Sequence, residues 1–167
     1  MTDLIRTARR TISTVEGRPS QADLRRAIST AYYAMFDTLA RLCANEIVGG
    51  TSSKRATSEW ARVYRALDHG KSAQALDQID PRRKQLAKRG QASAIDPKLE
   101  AFCNLLDDMR LLRLQADYDP TPLNLKLADV HAMIAEAETT IDDLHSVPSI
   151  HRRALAFACV VPLRRAQ

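Results

Sequence analysis

Only 5 glycines and 7 prolines punctuate the 167 residues, 3 cysteines occur, and aromatic side chains make up 5% of the chain. So few glycines leave no glycine-rich loop to cradle a nucleotide phosphate. Cys43, Cys103 and Cys159 are odd in number and widely spaced, which excludes a disulfide framework and reads as buried thiols in a reducing compartment. No stretch approaches the roughly 20 apolar residues needed to cross a bilayer, and the N-terminus MTDLIRTARR lacks the apolar centre of a secretory signal. A cytoplasmic location without membrane contact is expected. There is no His-Glu-x-x-His helix and no paired-cysteine motif, and His131 and His145 stand about four helical turns apart. Neither a metal site nor a cofactor is expected.

What is plentiful forms helices. Alanine, leucine, arginine, glutamine and aspartate dominate over the β-branched and aromatic residues that strands prefer. Apolar residues at 45% and charged residues at 27% are globular values, and a chain of this length can bury about 70% of its unfolded surface. The expected fold is all-α, an antiparallel bundle of four to six helices. The expected division is a bundle over residues 1–148 and a basic, apolar C-terminal helix or tail over residues 149–167. A formal charge of +5 and a pI near 9.4 favour contact with a polyanion such as RNA.

Apolar spacing marks the helices. Leu4, Ile5, Ala8, Ile12 and Val15 form one stripe, closed by Gly17 and Pro19. A second helix is expected from the N-cap Ser20, with Asp23 three residues on, to about Ile47. Within it AYYAMF (31–36) is apolar or aromatic on every face, which suits a central helix or an oligomer interface. Trp60, Val63, Tyr64 and Leu67 predict a third helix ending at His69-Gly70, and a short fourth spans Ala73 to Ile79. PRRKQLAKRG (81–90) reads as an exposed, partly helical basic loop. Asp96-Pro97 opens a fifth helix that ends near Tyr118, before Asp119-Pro120-Thr121-Pro122. Leu127 to Leu144 is the sixth. Beyond it, Ala154–Val161 reads as a last helix docked on the bundle or as a lipid- or partner-binding arm, flanked by Arg152-Arg153 and Arg164-Arg165.

Two segments carry most of the information. Residues 25–42 read RRAISTAYYAMFDTLARL, and residues 110–120 read RLLRLQADYDP. On the second, Arg110, Arg113 and Asp117 share one helix face, and Arg113 can pair with Asp117 one turn later. The run R-A-I-S-x-A-Y-Y-A-x-F, then RALDHGK (65–71), then Arg-x-x-Ala-Asp-Tyr (113–118) resembles the HEPN family over roughly residues 20–145. That resemblance implies a four- or five-helix bundle, usually dimeric, of prokaryotic toxin–antitoxin and defence systems. Such proteins are often encoded beside a minimal nucleotidyltransferase, which is the possible antitoxin partner. Many members are metal-independent ribonucleases in which an Arg steadies the phosphate and a His four to six residues later moves protons.

The matching arginine here is Arg113, but Leu114-Gln115-Ala116-Asp117-Tyr118 follows and no His is in place. An Asp beside an Arg stays ionised and cannot donate a proton near neutrality. Arg113 and Asp117 therefore also read as a structural ion pair. His69 reads first as a helix cap, since the helix dipole favours an imidazolium there, and only second as a catalytic group. The resulting site is Arg113, Asp117 and Tyr118 at the reacting phosphate, with Arg25, Arg26, Arg110, Arg82 and Arg83 along RNA and Tyr32, Tyr33 and Phe36 at a dimer interface. Tyr32, Tyr33 and Trp60 read as base-stacking platforms or, more simply, as packing residues. The missing His favours a dimeric module that docks a partner protein without catalysis of its own. The alternative is a metal-independent HEPN-type endoribonuclease or RNA-binding toxin component.

Overall fold

In the computed structural model, residues 3–13, 17–118 and 124–161 are described, and every regular element among them is helical. The long central helix, α2 (Gln21–Ile47), starts at a closed capping box. Ser20 Oγ accepts the Asp23 amide at 3.2 Å and Asp23 Oδ2 accepts the Ser20 amide at 3.0 Å, which stabilises the helix start by about 1 kcal/mol. Around α2 pack α1 (Asp3–Ser13), α4 (Ser58–Arg65), α7 (Pro97–Tyr118), α8 (Leu127–Asp143) and α9 (Ser149–Val160). Between them lie the short α3 (Ser52–Arg55), α5 (Lys71–Ile79) and α6 (Arg83–Lys88), and a 3-10 turn, Leu144–Ser146, follows α8.

Being surrounded explains why α2 is apolar on most sides. Ala27, Ala31, Ala34 and Ala40 are small enough to let neighbouring helices come close, while Ile28, Tyr32, Met35 and Leu39 fill the space left, each contributing roughly 1.5–3 kcal/mol by burial. Tyr32 is 1% exposed. This corrects its assignment to a dimer interface, because a ring enclosed within its own subunit has no face left for a partner.

α7 runs antiparallel to α2. Ser29 meets Asp117, Tyr33 meets Arg113, and Cys43 lies beside Cys103 at the other end. The Cys159 thiol of α9 joins them, hydrogen-bonded to Cys43, so three thiols far apart in sequence share one core site. That hydrogen bond and burial push the Cys43 thiol far up, and burial pushes Cys103 up, which keeps both unreactive. α9 itself docks on α2 and α5 through Leu155, Ala156 and Cys159.

Several expectations shift. Helix α4 stops at Arg65, and Gly70 caps the start of α5 rather than the end of α4, at φ +88°, a conformation glycine adopts without strain. α3 was not expected, since four residues show no period. The predicted continuation of α1 to Val15, the turn at residues 119–122 and Arg164-Arg165 lie outside the described residues.

The basic stretch needs a correction. Arg83 is 7% exposed and donates to Asp77 Oδ1 at 2.8 Å and to Glu100 Oε1 at 3.2 Å. Its guanidinium ties α5 and α6 to α7, so Arg83 is not available to an RNA backbone. Arg82, Lys84, Lys88 and Arg89 are exposed, with Lys84 paired to Asp77.

Candidate functional site

Arg113 sits three-quarters of the way along α7, where α2 passes it. Its side chain is 15% exposed and lies between two aromatic rings, with Cζ 5.4 Å from the Tyr33 centroid and 5.3 Å from that of Tyr118. Nη2 donates to the Tyr33 hydroxyl at 2.8 Å and reaches the Tyr118 hydroxyl at 3.5 Å. Nε stands 2.7 Å from Asp117 Oδ2, an ion pair that lacks the alignment of a hydrogen bond. Asp117 Oδ1 in turn accepts the Ser29 hydroxyl at 2.8 Å. Burial works against the Arg113 charge, but Tyr33, Asp117 and Tyr118 outweigh it and hold the pKa above its ordinary value. Asp117 therefore has both oxygens engaged, one by Arg113 and one by Ser29.

An imidazole stands on the other side of Tyr33. His69, in the connection between α4 and α5, lays its ring on Phe36, with centroids 4.1 Å apart, and its centroid is 6.4 Å from that of Tyr33. Tyr33 therefore has Arg113 on one side and His69 on another. The Tyr32 hydroxyl hydrogen-bonds His69 Nδ1 at 2.5 Å. Burial raises the Tyr32 phenol to about 12, so it keeps its proton and can either donate to Nδ1 or accept from Nδ1–H. Burial, followed by the charges of Arg113 and Arg110, outweighs the pull of Asp68 and lowers the His69 pKa below its usual 6.5. His69 is neutral at pH 7, and Nε2 is the nitrogen left for a ligand.

Arg110 completes the cluster. It pairs with Asp107 at 2.9 Å and crosses directly over Gly70, where a side-chain Cβ would stand 3.4 Å from Arg110 Nε. The glycine next to His69 thus serves both the turn and the close approach of this arginine. Phe36 is half-buried under His69, Tyr118 is 70% exposed, Arg25 is half-buried, and Arg26 is exposed one turn before Ser29. Arg82 lies just before α6, outside this cluster. His69 is the residue that helix spacing missed: the signal was the RALDHGK segment itself, read there as a cap because no local pattern links it to α7. Among the described residues no three His, Cys, Asp or Glu side chains group as metal ligands.

No family model matches the chain, and no match is found among curated proteins or solved structures. The site must be read from its own chemistry.

Proposed function

We propose that this protein is a HEPN-like, metal-independent endoribonuclease, with Arg113 at the scissile phosphate and His69 as the general base. The observation that carries this reading is the placement of a neutral imidazole and a fixed guanidinium around the same Tyr33 ring. With Nδ1–H donated to the Tyr32 oxygen, Nε2 holds the lone pair that takes the proton from a ribose 2′-hydroxyl. The 2′-oxygen then attacks phosphorus, the P–O5′ bond breaks, the proton taken up by His69 is returned through water to the departing 5′-oxygen, and a 2′,3′-cyclic phosphate forms. Arg113 and Arg110 stabilise the charge that builds on the phosphoryl oxygens. Tyr118 and Tyr33 offer ring faces for the flanking bases.

The test is incubation of metal-stripped protein with a pool of labelled RNAs beside His69→Ala and Arg113→Ala. Loss of one general base lowers such rates by about 10²–10⁴-fold. Cyclic-phosphate products that vanish in both variants are expected; undiminished cleavage by His69→Ala would falsify the assignment.

A second reading rests on a separate observation. Leu111, Leu114 and Tyr118 form an exposed i, i+3, i+7 stripe on α7, next to exposed Tyr33. Such a patch suits a second copy of the chain, or a nucleotidyltransferase-type partner, covering the rim of the Arg113 cluster. On this reading the protein is a dimeric docking module of the toxin–antitoxin or defence type, and the cluster belongs to its interface.

A further inference from the structure

A second polar centre lies further along α2, away from Arg113. The C-terminal half of α2, with α1, α3, α8 and α9, encloses a cleft of about 980 Å³. Its apolar lining is Leu4, Leu42, Ile141 and Leu144, and its polar lining sets Arg41, Asn45, Arg55 and Arg152 beside the carboxylates of Asp3, Asp37 and Glu46.

The hydrogen bonds here run in one direction. Asn45 Oδ1 accepts from Trp60 Nε1 at 3.0 Å and from Arg55 Nε at 3.3 Å. Asp37 accepts the Tyr64 hydroxyl at 2.6 Å on one oxygen and Arg41 Nε at 2.7 Å on the other. Glu46 Oε1 accepts Arg152 Nε at 2.7 Å, and Arg152 Nη1 is held by the Val147 carbonyl at 2.7 Å. The acceptors are thus largely consumed within the fold. Among the described residues, these bonds leave the Asn45 amide NH₂, the terminal nitrogens of Arg55 and Arg41, and Arg152 Nη2 as donors at the cleft. The charges at the cleft narrow the ligand: Arg41 is matched by Asp37, Arg152 by Glu46, and the exposed Asp3 by Arg6 on its own helix, while Arg55 faces only a neutral amide. One positive charge above an apolar floor is left over.

The geometry points to a binding site for a small monoanionic carboxylate on an aliphatic or aromatic body, its carboxylate held by Arg55 and the Asn45 amide and its body lying on Leu4, Leu42, Ile141 and Leu144. Guanidinium and carboxylate match in planar, bidentate geometry. The volume falls within the range of small-molecule sites. A phosphomonoester would bring about twice the charge that the cleft can neutralise.

Trp60, the single tryptophan, reports on this site through its bond to Asn45. Octanoate titrated into the full-length protein should change Trp60 emission saturably. Octanol, which lacks the charge, and inorganic phosphate, which lacks the body, should not. Arg55 is exposed on short α3, so Arg55→Ala should fold normally and raise the octanoate Kd at least tenfold, by fluorescence and by calorimetry. Absence of saturable octanoate binding in calorimetry overturns the proposal, as does unchanged affinity in Arg55→Ala. Equal binding of octanol would reduce the cleft to an apolar surface, and octyl phosphate binding as tightly as octanoate would overturn the monoanion assignment. RNA cleavage is not a readout here, so this proposal and the Arg113 reading stand or fall separately.

Discussion

His69 owes its charge state to the residues around it. Burial and the nearby Arg113 and Arg110 charges depress its pKa below 6.5. In the unfolded chain the imidazole takes up a proton near pH 6.5. Between that value and the lower folded one, the unfolded state binds more protons, so stability falls as the pH falls through this window. Above it His69 is neutral in both states and contributes no pH dependence. Arg113→Ala removes one of the charges that disfavour the imidazolium. The His69 pKa, followed through its Cε1–H resonance in an NMR titration, should therefore rise in that variant. An unmoved or lower value would mean that the two groups do not sense each other, which removes the basis for their acting together. By the same logic the acidic limb of any cleavage profile belongs below pH 6.5 in the native protein.

Among the elements, α6 shows how a charge run can hide a structural residue. Neighbours in PRRKQLAKRG differ only in which way the helix turns them. Arg83 points inward to Asp77 and Glu100, while Arg82 and Lys88 point to water. Burial pushes the Asp77 carboxyl up, but its bonds to Lys84 and Arg83 outweigh that and hold its pKa low. Arg83→Ala takes one charged donor from each of two carboxylates, leaving Asp77 to Lys84 and Glu100 to Ser93, and should cost about 1–3 kcal/mol, the range for losing hydrogen bonds to charged groups. Urea unfolding should show a lower midpoint with an unchanged slope. Lys88→Ala should stay within about 0.5 kcal/mol of the native protein, as surface changes do. Equal effects from both substitutions would place Arg83 on the surface.

For the molecule as a whole, the open question is what covers the stripe of Leu111, Leu114 and Tyr118. Two leucines that keep a third to a half of their surface exposed on one side of a helix otherwise well packed suit an interface. If a second copy covers them, Leu111→Glu should convert a dimer into a monomer in light scattering, with helix content unchanged in circular dichroism. A protein that is monomeric before the substitution would instead leave the stripe to a different partner. A variant that stays dimeric would move the interface elsewhere. No described helix is long and apolar enough to cross a membrane.

Most of the helices could be read directly from the chain, because their signals are local. The Ser20–Asp23 box, the Asp96-Pro97 start of α7 and the period of α8 each involve residues within one or two turns, where spacing translates directly into geometry. The Arg113–Asp117 pair was legible for the same reason. Tertiary packing decided which way Arg83 and Tyr32 face, since an apolar run or a basic run has no inside until other helices enclose it. It also brought His69 to Arg113 and gathered Cys43, Cys103 and Cys159 into one core site. These residues lie on separate elements, and the approach of one helix to another leaves no periodic trace in either. His69 sits in a connection whose position only the packing of α4 and α5 against α2 and α7 determines.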